Sequence, residues 1–337
     1  MAPPSGNRHA PRSAITRRPA RARALLGAIS ALSALAACAH VLPYDFTPAG
    51  MRRELARRVH LDPDDVVVPF EVDEPAIARA RAIVDGVADE DSRGEALVSS
   101  LSDPDGFNLH YQWATSGTAK ETLARGAGNC LALSSTLIGL ARGVGMKAHY
   151  LEVIVADPQW RMEGDLTVQA DHVAAVIGSG EQRLFVDFSG RLARARRVRA
   201  IDDFEALAHF YNNRGYETLH RAEQEGLPIP WDLAARDFEL ATRVHPAHAR
   251  AWNNLGVARA RLGDDTHARQ AYEKAIALEK GIQSAHLNLV ALFLRAGDLQ
   301  SAAWHLDAAR RLDPRNPQID RLADTLAQAA SAHGSGS

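Results

Sequence analysis

The sequence predicts two folded regions in series, an α+β region and then an all-α solenoid. Two patterns point there. Between residues 126 and 188, one apolar helix follows a glycine-rich loop and precedes three strand-like runs, the order of a helix packed on an antiparallel sheet. From about residue 204, small and large residues recur every 34 positions, the mark of stacked helix pairs. The chain has 337 residues, room for two or three domains. Its 46% hydrophobic and 24% charged content is that of a globular protein.

The first 37 residues read as an address. Arg8, Arg12, Arg17, Arg18, Arg21 and Arg23 stand in a stretch without an acid, and the apolar run from Ala24 to Ala37 follows. That run is shorter than the ~20 residues that span a bilayer. A basic leader, a short apolar core and small residues at its end are the parts of a secretory signal. Its close, Leu35-Ala36-Ala37-Cys38, resembles the lipobox of bacterial lipoproteins. The resemblance implies cleavage before Cys38, lipidation of Cys38 and stable membrane attachment through the acyl chains. Ala39 after the Cys implies the outer membrane, facing the periplasm. The alternative is an ordinary signal or short anchor with a chance Cys. Cleavage leaves 33 basic and 41 acidic residues. That acidic balance argues against direct binding to nucleic acid or anionic lipid. Two cysteines exclude a disulfide scaffold and a thiolate-rich zinc site, and no cofactor is expected. Cys130 is the remaining thiol.

Residues 38–48, with Pro43 and Pro48, read as a tether. Helical periodicity covers Met51–His60 and stops before Pro63. A second helix is expected over Pro75–Ala88, where Ala76, Ile77, Ala80, Ile83, Val84 and Val87 share one face. A third is expected over Arg93–Leu101, closed by Ser102-Asp103-Pro104-Asp105-Gly106. Thr118–Leu123 is helix or loop. Gly126-Ala127-Gly128-Asn129 forms a tight loop, and Cys130 opens a helix to about Arg142, stopped by Gly143 and Gly145. Strands are expected at Lys147–Val155, Asp171–Ile177 and Arg183–Phe188, the last two joined by a hairpin at residues 178–181. Ala156–Ala170 reads as a long polar link.

In the C-terminal part, Trp252, Leu255, Gly256, Gly263, Ala268, Tyr272 and Ala275 have counterparts 34 residues on. These are His286, Leu289, Val290, Gly297, Ala302, Leu306 and Ala309. The same step backward reaches Ala234, Phe238 and Ala241. The pattern resembles the tetratricopeptide repeat, in which small residues let paired helices approach and large ones fill the gaps. In the first repeat, Tyr211–Gly215 stands seven residues early, which makes Glu223–Pro230 an insertion. The array is assigned to residues 204–330, with a capping helix over Asn316–Ala330 and a tail at 331–337. A protein or peptide partner is the ligand such repeats imply.

The remaining candidate chemistry lies at Cys130, His172 and Asp187. A thiol at a helix N-terminus meets the positive end of the helix dipole, which favours thiolate. An imidazole beside it and an acid beyond complete an activated nucleophile. His172 opens one strand and Asp187 lies in the next, so a hairpin can set them side by side. The segments Gly128-Asn129-Cys130-Leu131-Ala132, Ala170-Asp171-His172-Val173 and Phe185-Val186-Asp187-Phe188 resemble the transglutaminase-like superfamily, a relative of the papain fold. The likeness covers roughly residues 75–190, within an expected domain of residues 49–200. It implies a cysteine hydrolase or acyltransferase acting on an amide or peptide bond. Cys130 is then the nucleophile, His172 the base and Asp187 its orienting acid. Gln112 or Trp113 is a candidate second oxyanion donor beside the Cys130 backbone N–H. His149 is the rival base and Asp171 the rival acid. The alternative is a non-catalytic lipoprotein scaffold whose repeats assemble envelope proteins.

Overall fold

The computed structural model describes residues 14–16, 47–63, 66–113, 115–155, 160–163, 166–169, 172–178 and 183–334. Cys38, most of the leader and tether, Asp171 and residues 335–337 lie outside the described residues. The chain divides into two compact units. One comprises Met1–Arg52, Val67–Ala156 and His172–Asp203; the other comprises Arg53–Val66, Asp157–Asp171 and Phe204–Ser337.

The first unit contains a sheet with strands β1 (Ala14–Thr16), β4 (Ala148–Val155), β7 (Val173–Ile177), β8 (Leu184–Asp187) and β9 (Ala195–Ile201). Its order is β1-β8-β7-β4-β9, antiparallel throughout. A helix, α1 (Pro48–Val59), begins in this unit, and α2 (Glu74–Val84) and α3 (Glu90–Ser102) follow. Asp73 starts α2 by accepting the Ala76 N–H at 3.1 Å. The helix closes at Asp85, before Gly86 turns to φ +76°. It is shorter than the expected Pro75–Ala88 because the backbone at Gly86 is left-handed.

Strand β2 (His110–Tyr111) pairs in parallel with β3 (Ala127–Gly128), and α4 (Ala119–Arg125) lies between them in sequence. Thr118 and Glu121 form a reciprocal capping box that settles residues 118–123 as helix. Then comes α5 (Cys130–Gly143), buried continuously from Cys130 to Ala141. A helix apolar on all sides is a central one, and α5 packs on β4, β7 and β8. Its approach to the chain beneath is close. A Cβ on Gly139 would lie 2.2 Å from the Phe70 carbonyl oxygen.

Strand β7 is buried at every residue, which explains its unbroken apolar run. The helix covers one face. On the other, Ala174 and Val176 join Leu151 and Val153, with Phe185, Leu192 and Ala195 against them. Strand β9 was not expected from the sequence. It is an exposed edge strand whose Arg196, Arg197 and Arg199 hide any alternation, and Arg199 pairs with Glu152 of β4 at 2.9 Å.

The second unit is built of helices α6 (Asp203–Gln224, its first residue in the first unit), α7 (Trp231–Val244), α8 (Ala249–Arg261), α9 (Asp265–Leu278), α10 (Gln283–Ala296), α11 (Leu299–Leu312) and α12 (Pro317–Gly334). Consecutive helices from α7 to α12 are neighbours. One apolar core runs through the array, from Tyr216 and Phe238 to Ile319 and Leu322. Asp264 and Asp298 cap α9 and α11 through the N–H groups of His267 and Ser301. The link expected between the first and second strands is not irregular throughout. It contains a hairpin of β5 (Trp160–Glu163) and β6 (Leu166–Gln169), which belongs to the second unit.

Candidate functional site

Asn129 starts α5 by accepting the Ala132 N–H at 2.9 Å, and its amide donates to Ser116 Oγ at 2.9 Å. The cap fixes Cys130 as the first residue of the helix. Cys130 is buried, with 6% of its surface exposed.

The β7–β8 register pairs Ala175 with Val186. Carried back to the start of β7, it sets His172 opposite Ser189. Ser189 Oγ lies 3.1 Å from His172 Nε2, and Asp187 Oδ1 lies 3.2 Å from the same nitrogen. The ring also hydrogen-bonds the Cys130 side chain. The three residues therefore meet. Rival His149 sits in β4 opposite Val176, four residues from His172 and roughly 13 Å along β7.

Asp187 is held by more than the imidazole. It accepts the Leu192 N–H at 2.6 Å, the Ser189 N–H at 3.0 Å and the Ser189 hydroxyl at 2.9 Å. Sequence reading missed Ser189, whose signal is its position two residues past Asp187 in the same turn. Burial alone would raise the Asp187 carboxyl, but His172 and the two N–H donors outweigh it and hold the group well below the carboxylate range. For His172, burial opposes the charge, while Cys130 and Asp187 restore it. The net result is a ring pushed up to about 9. Gln112 donates its backbone N–H to the Gly128 carbonyl at 2.9 Å, which places it beside the loop that carries Cys130. Trp113 follows it and is exposed.

The shift on His172 sets a sign for stability against pH. A group charged more readily in the folded state contributes fully below its unfolded value near 6.5, and the contribution is lost as pH climbs through about 9. Asp187 acts oppositely: its contribution is present above its ordinary 3.8 and is lost only in strong acid. Urea unfolding of the first unit is expected to lose on the order of 2 kcal/mol between pH 6.5 and about 9. In His172→Gln that decline is expected to vanish. A wild-type profile as flat as the variant's contradicts the assignment.

The second candidate surface is the helical array. Gly256 of α8 lies so close to α9 that a Cβ there would stand 2.5 Å from Tyr272 Cε1. One helix pair earlier, a Cβ on Gly215 of α6 would stand 2.7 Å from Phe238 Cε1 of α7. Both glycines admit a large aromatic from the partner helix. Residues 249–282 match the tetratricopeptide repeat family model. The C-terminal region is a tetratricopeptide-repeat array.

The array is similar to parts of known proteins. The heat-shock protein cognate co-chaperone sgt12 of Aspergillus fumigatus is 50% identical over 89 residues, which are 26% of this chain. The match spans about a quarter, 26%, of that relative. Among solved structures, the OM64 TPR domain of Arabidopsis is 19% identical. It aligns with 37% of this chain and 98% of its own, at a TM-score of 0.33. The TPR2B domain of yeast Sti1, in a complex with pHsp70, is 22% identical over 34% of this chain and 94% of its own, at a TM-score of 0.30.

These findings correct the expectation of an enzyme. The curated relative is a co-chaperone, and its likeness to this chain points to a scaffold rather than a cysteine hydrolase or acyltransferase. The physical reason lies in what each part of the molecule can do. A helical array acts by presenting a surface, not by making or breaking bonds. The Cys130, His172 and Asp187 side chains meet as a largely buried cluster. Proximity of those three residue types is equally the signature of a stabilising ion pair.

Proposed function

We propose that this protein is a lipid-anchored scaffold of the bacterial envelope, whose tetratricopeptide repeats dock a protein partner. The observation that carries the reading is the stack of interlocked helix pairs in the second unit, α6 with α7, α8 with α9 and α10 with α11. The likeness to a co-chaperone supports docking as the activity. Residues 1–37 are the signal peptide on this reading, so cleavage takes β1 from the sheet and leaves β8 at its edge; Cys38 is the lipidated residue and residues 38–48 are the tether. Residues 49–200 form a transglutaminase-like domain that has no catalytic duty. Residues 204–330 carry the repeats and their cap, and 331–337 are a tail. Cys130, His172 and Asp187 serve as an ionic clamp between the start of α5 and the open end of the β7–β8 hairpin, where β7 begins and β8 ends.

The test is crosslinking of the full chain in envelope preparations. Gly256→Leu forces a side chain against Tyr272 and is expected to abolish the partner adduct, with hydrogen exchange in β4 and β7 unchanged. Cys130→Ala is expected to keep the adduct, and Cys38→Ser to release the chain from the membrane fraction. Loss of the adduct in Cys130→Ala with retention in Gly256→Leu overturns the scaffold reading.

A further inference from the structure

The first helix of each repeat pair is buried differently from the second. In α8, all residues from Asn253 to Ala258 are buried, and in α10 all from Ala285 to Leu292. At 3.6 residues per turn, either run covers every side of its helix. Helices α9 and α11 bury one stripe only, Ala268, Ala271, Tyr272 and Ala275 in one and Ala302, Leu306, Ala308 and Ala309 in the other. In a two-layer array one set of helices lines the concave face, and an empty groove leaves that face wet. Here the face of α8 and α10 is dry.

Strand β6 is in contact with both α8 and α10. The hairpin of β5 and β6 that it belongs to groups with the repeats, although in sequence it stands between β4 and β7. A row of asparagines on the same helices supports a covered groove. Asn254 donates to Asn212 of α6 at 2.9 Å, and Asn288 of α10 donates to Asn253 at 2.9 Å; all four are 0% exposed. Charge agrees as well. Residues 157–171 carry Asp157, Glu163, Asp165 and Asp171 against Arg161. Helices α8 and α10 carry Arg250, Arg259, Arg261 and Arg295 and no acid. Arg259 and Arg295 also pair with Glu239 and Asp265.

We infer that the β5–β6 hairpin is an intramolecular ligand of the repeat groove, a segment supplied in cis that a protein partner must displace. This deepens the scaffold reading, and the experiment below needs no partner, so its failure leaves docking itself standing.

The full chain is compared with a variant in which residues 157–170 are replaced by a six-residue Gly-Ser linker. Hydrogen exchange in α8 and α10 is expected to rise at least ten-fold in the variant, with α9 and α11 unchanged. A fluorescent cyclised peptide of residues 157–171 is expected to bind the variant at least ten-fold more tightly than the wild type. If circular dichroism shows the variant unfolded, Val168→Pro interrupts the β5–β6 pairing at full length and is expected to give the same selective rise. Unchanged exchange in α8 and α10 of a folded variant overturns the inference. So does a peptide that binds both proteins equally, or neither.

Discussion

Arg142→Met is expected to destabilise the first unit by about 3–5 kcal/mol, the usual cost of removing one partner from a buried ion pair. Arg142 lies in the last turn of α5 and reaches in two directions. Its guanidinium donates twice to the Asp203 carboxylate, at 2.8 and 2.9 Å, and twice to the Ala148 carbonyl, at 3.1 and 2.9 Å. Asp203 is 2% exposed. With Met at 142 the methylene packing survives, but a buried carboxylate and a carbonyl lose the guanidinium. The loss therefore reports the missing counter-charge rather than an empty volume. Tyr150 supplies a second reading of the same field. Burial first, and the Asp203 charge second, hold its phenol far above the usual range. Urea unfolding followed by hydrogen exchange in β4 and β7 measures the effect. Arg142→Met with Asp203→Leu is expected to recover most of the stability, because an apolar pair replaces a buried ionic one at little net cost. A single variant that loses less than about 1 kcal/mol shows that water reaches Asp203 and that the pair is a surface one.

The parts of this fold that the sequence discloses are those where packing restricts residue type. Small and large residues spaced by 34 leave a trace along the array, as Gly256 and Tyr272 do for the pair α8 and α9. The start of α5 is legible for a similar reason, since Asn129 is an N-cap and twelve buried positions follow it. Strand β9 is not legible, because an edge strand tolerates arginines on both faces. The β5–β6 hairpin is equally obscure. Its sequence reads as a loop when taken alone, and its strand β6 is in contact with α8 and α10. The Cys130, His172 and Asp187 cluster teaches a different lesson. Chain order and strand pairing suffice to bring a thiol, an imidazole and a carboxylate together. Whether they turn over a substrate depends on access and on the species that arrives, which residue order does not encode.

Phe238→Ala tests whether the first helix pair belongs to the array at all. Its glycine partner, Gly215, stands seven residues earlier than a strict 34-residue period demands, and residues 225–230 separate α6 from α7. The contact geometry is nonetheless that of the next pair. Phe238 and Tyr272 are both 0% exposed, and each lies over a glycine where a Cβ would clash, at 2.7 and 2.5 Å. Removing either ring empties a buried volume that helices on both sides restrict from closing, at an expected cost of about 3–5 kcal/mol. Stability in stacked repeats is close to a sum of unit and nearest-neighbour contributions. The damage from Phe238→Ala is therefore expected to centre on α6 and α7 and that from Tyr272→Ala on α8 and α9, each fading with distance along the stack. Hydrogen exchange resolved by helix distinguishes the two. If Tyr272→Ala shows the full loss while Phe238→Ala costs less than about 1 kcal/mol, the early glycine is a coincidence of spacing. The array would then begin at α8, with α6 and α7 as an appended pair. Equal losses mean that the contact between small and large residues defines the repeat, and that the insertion lengthens the link without altering the interface.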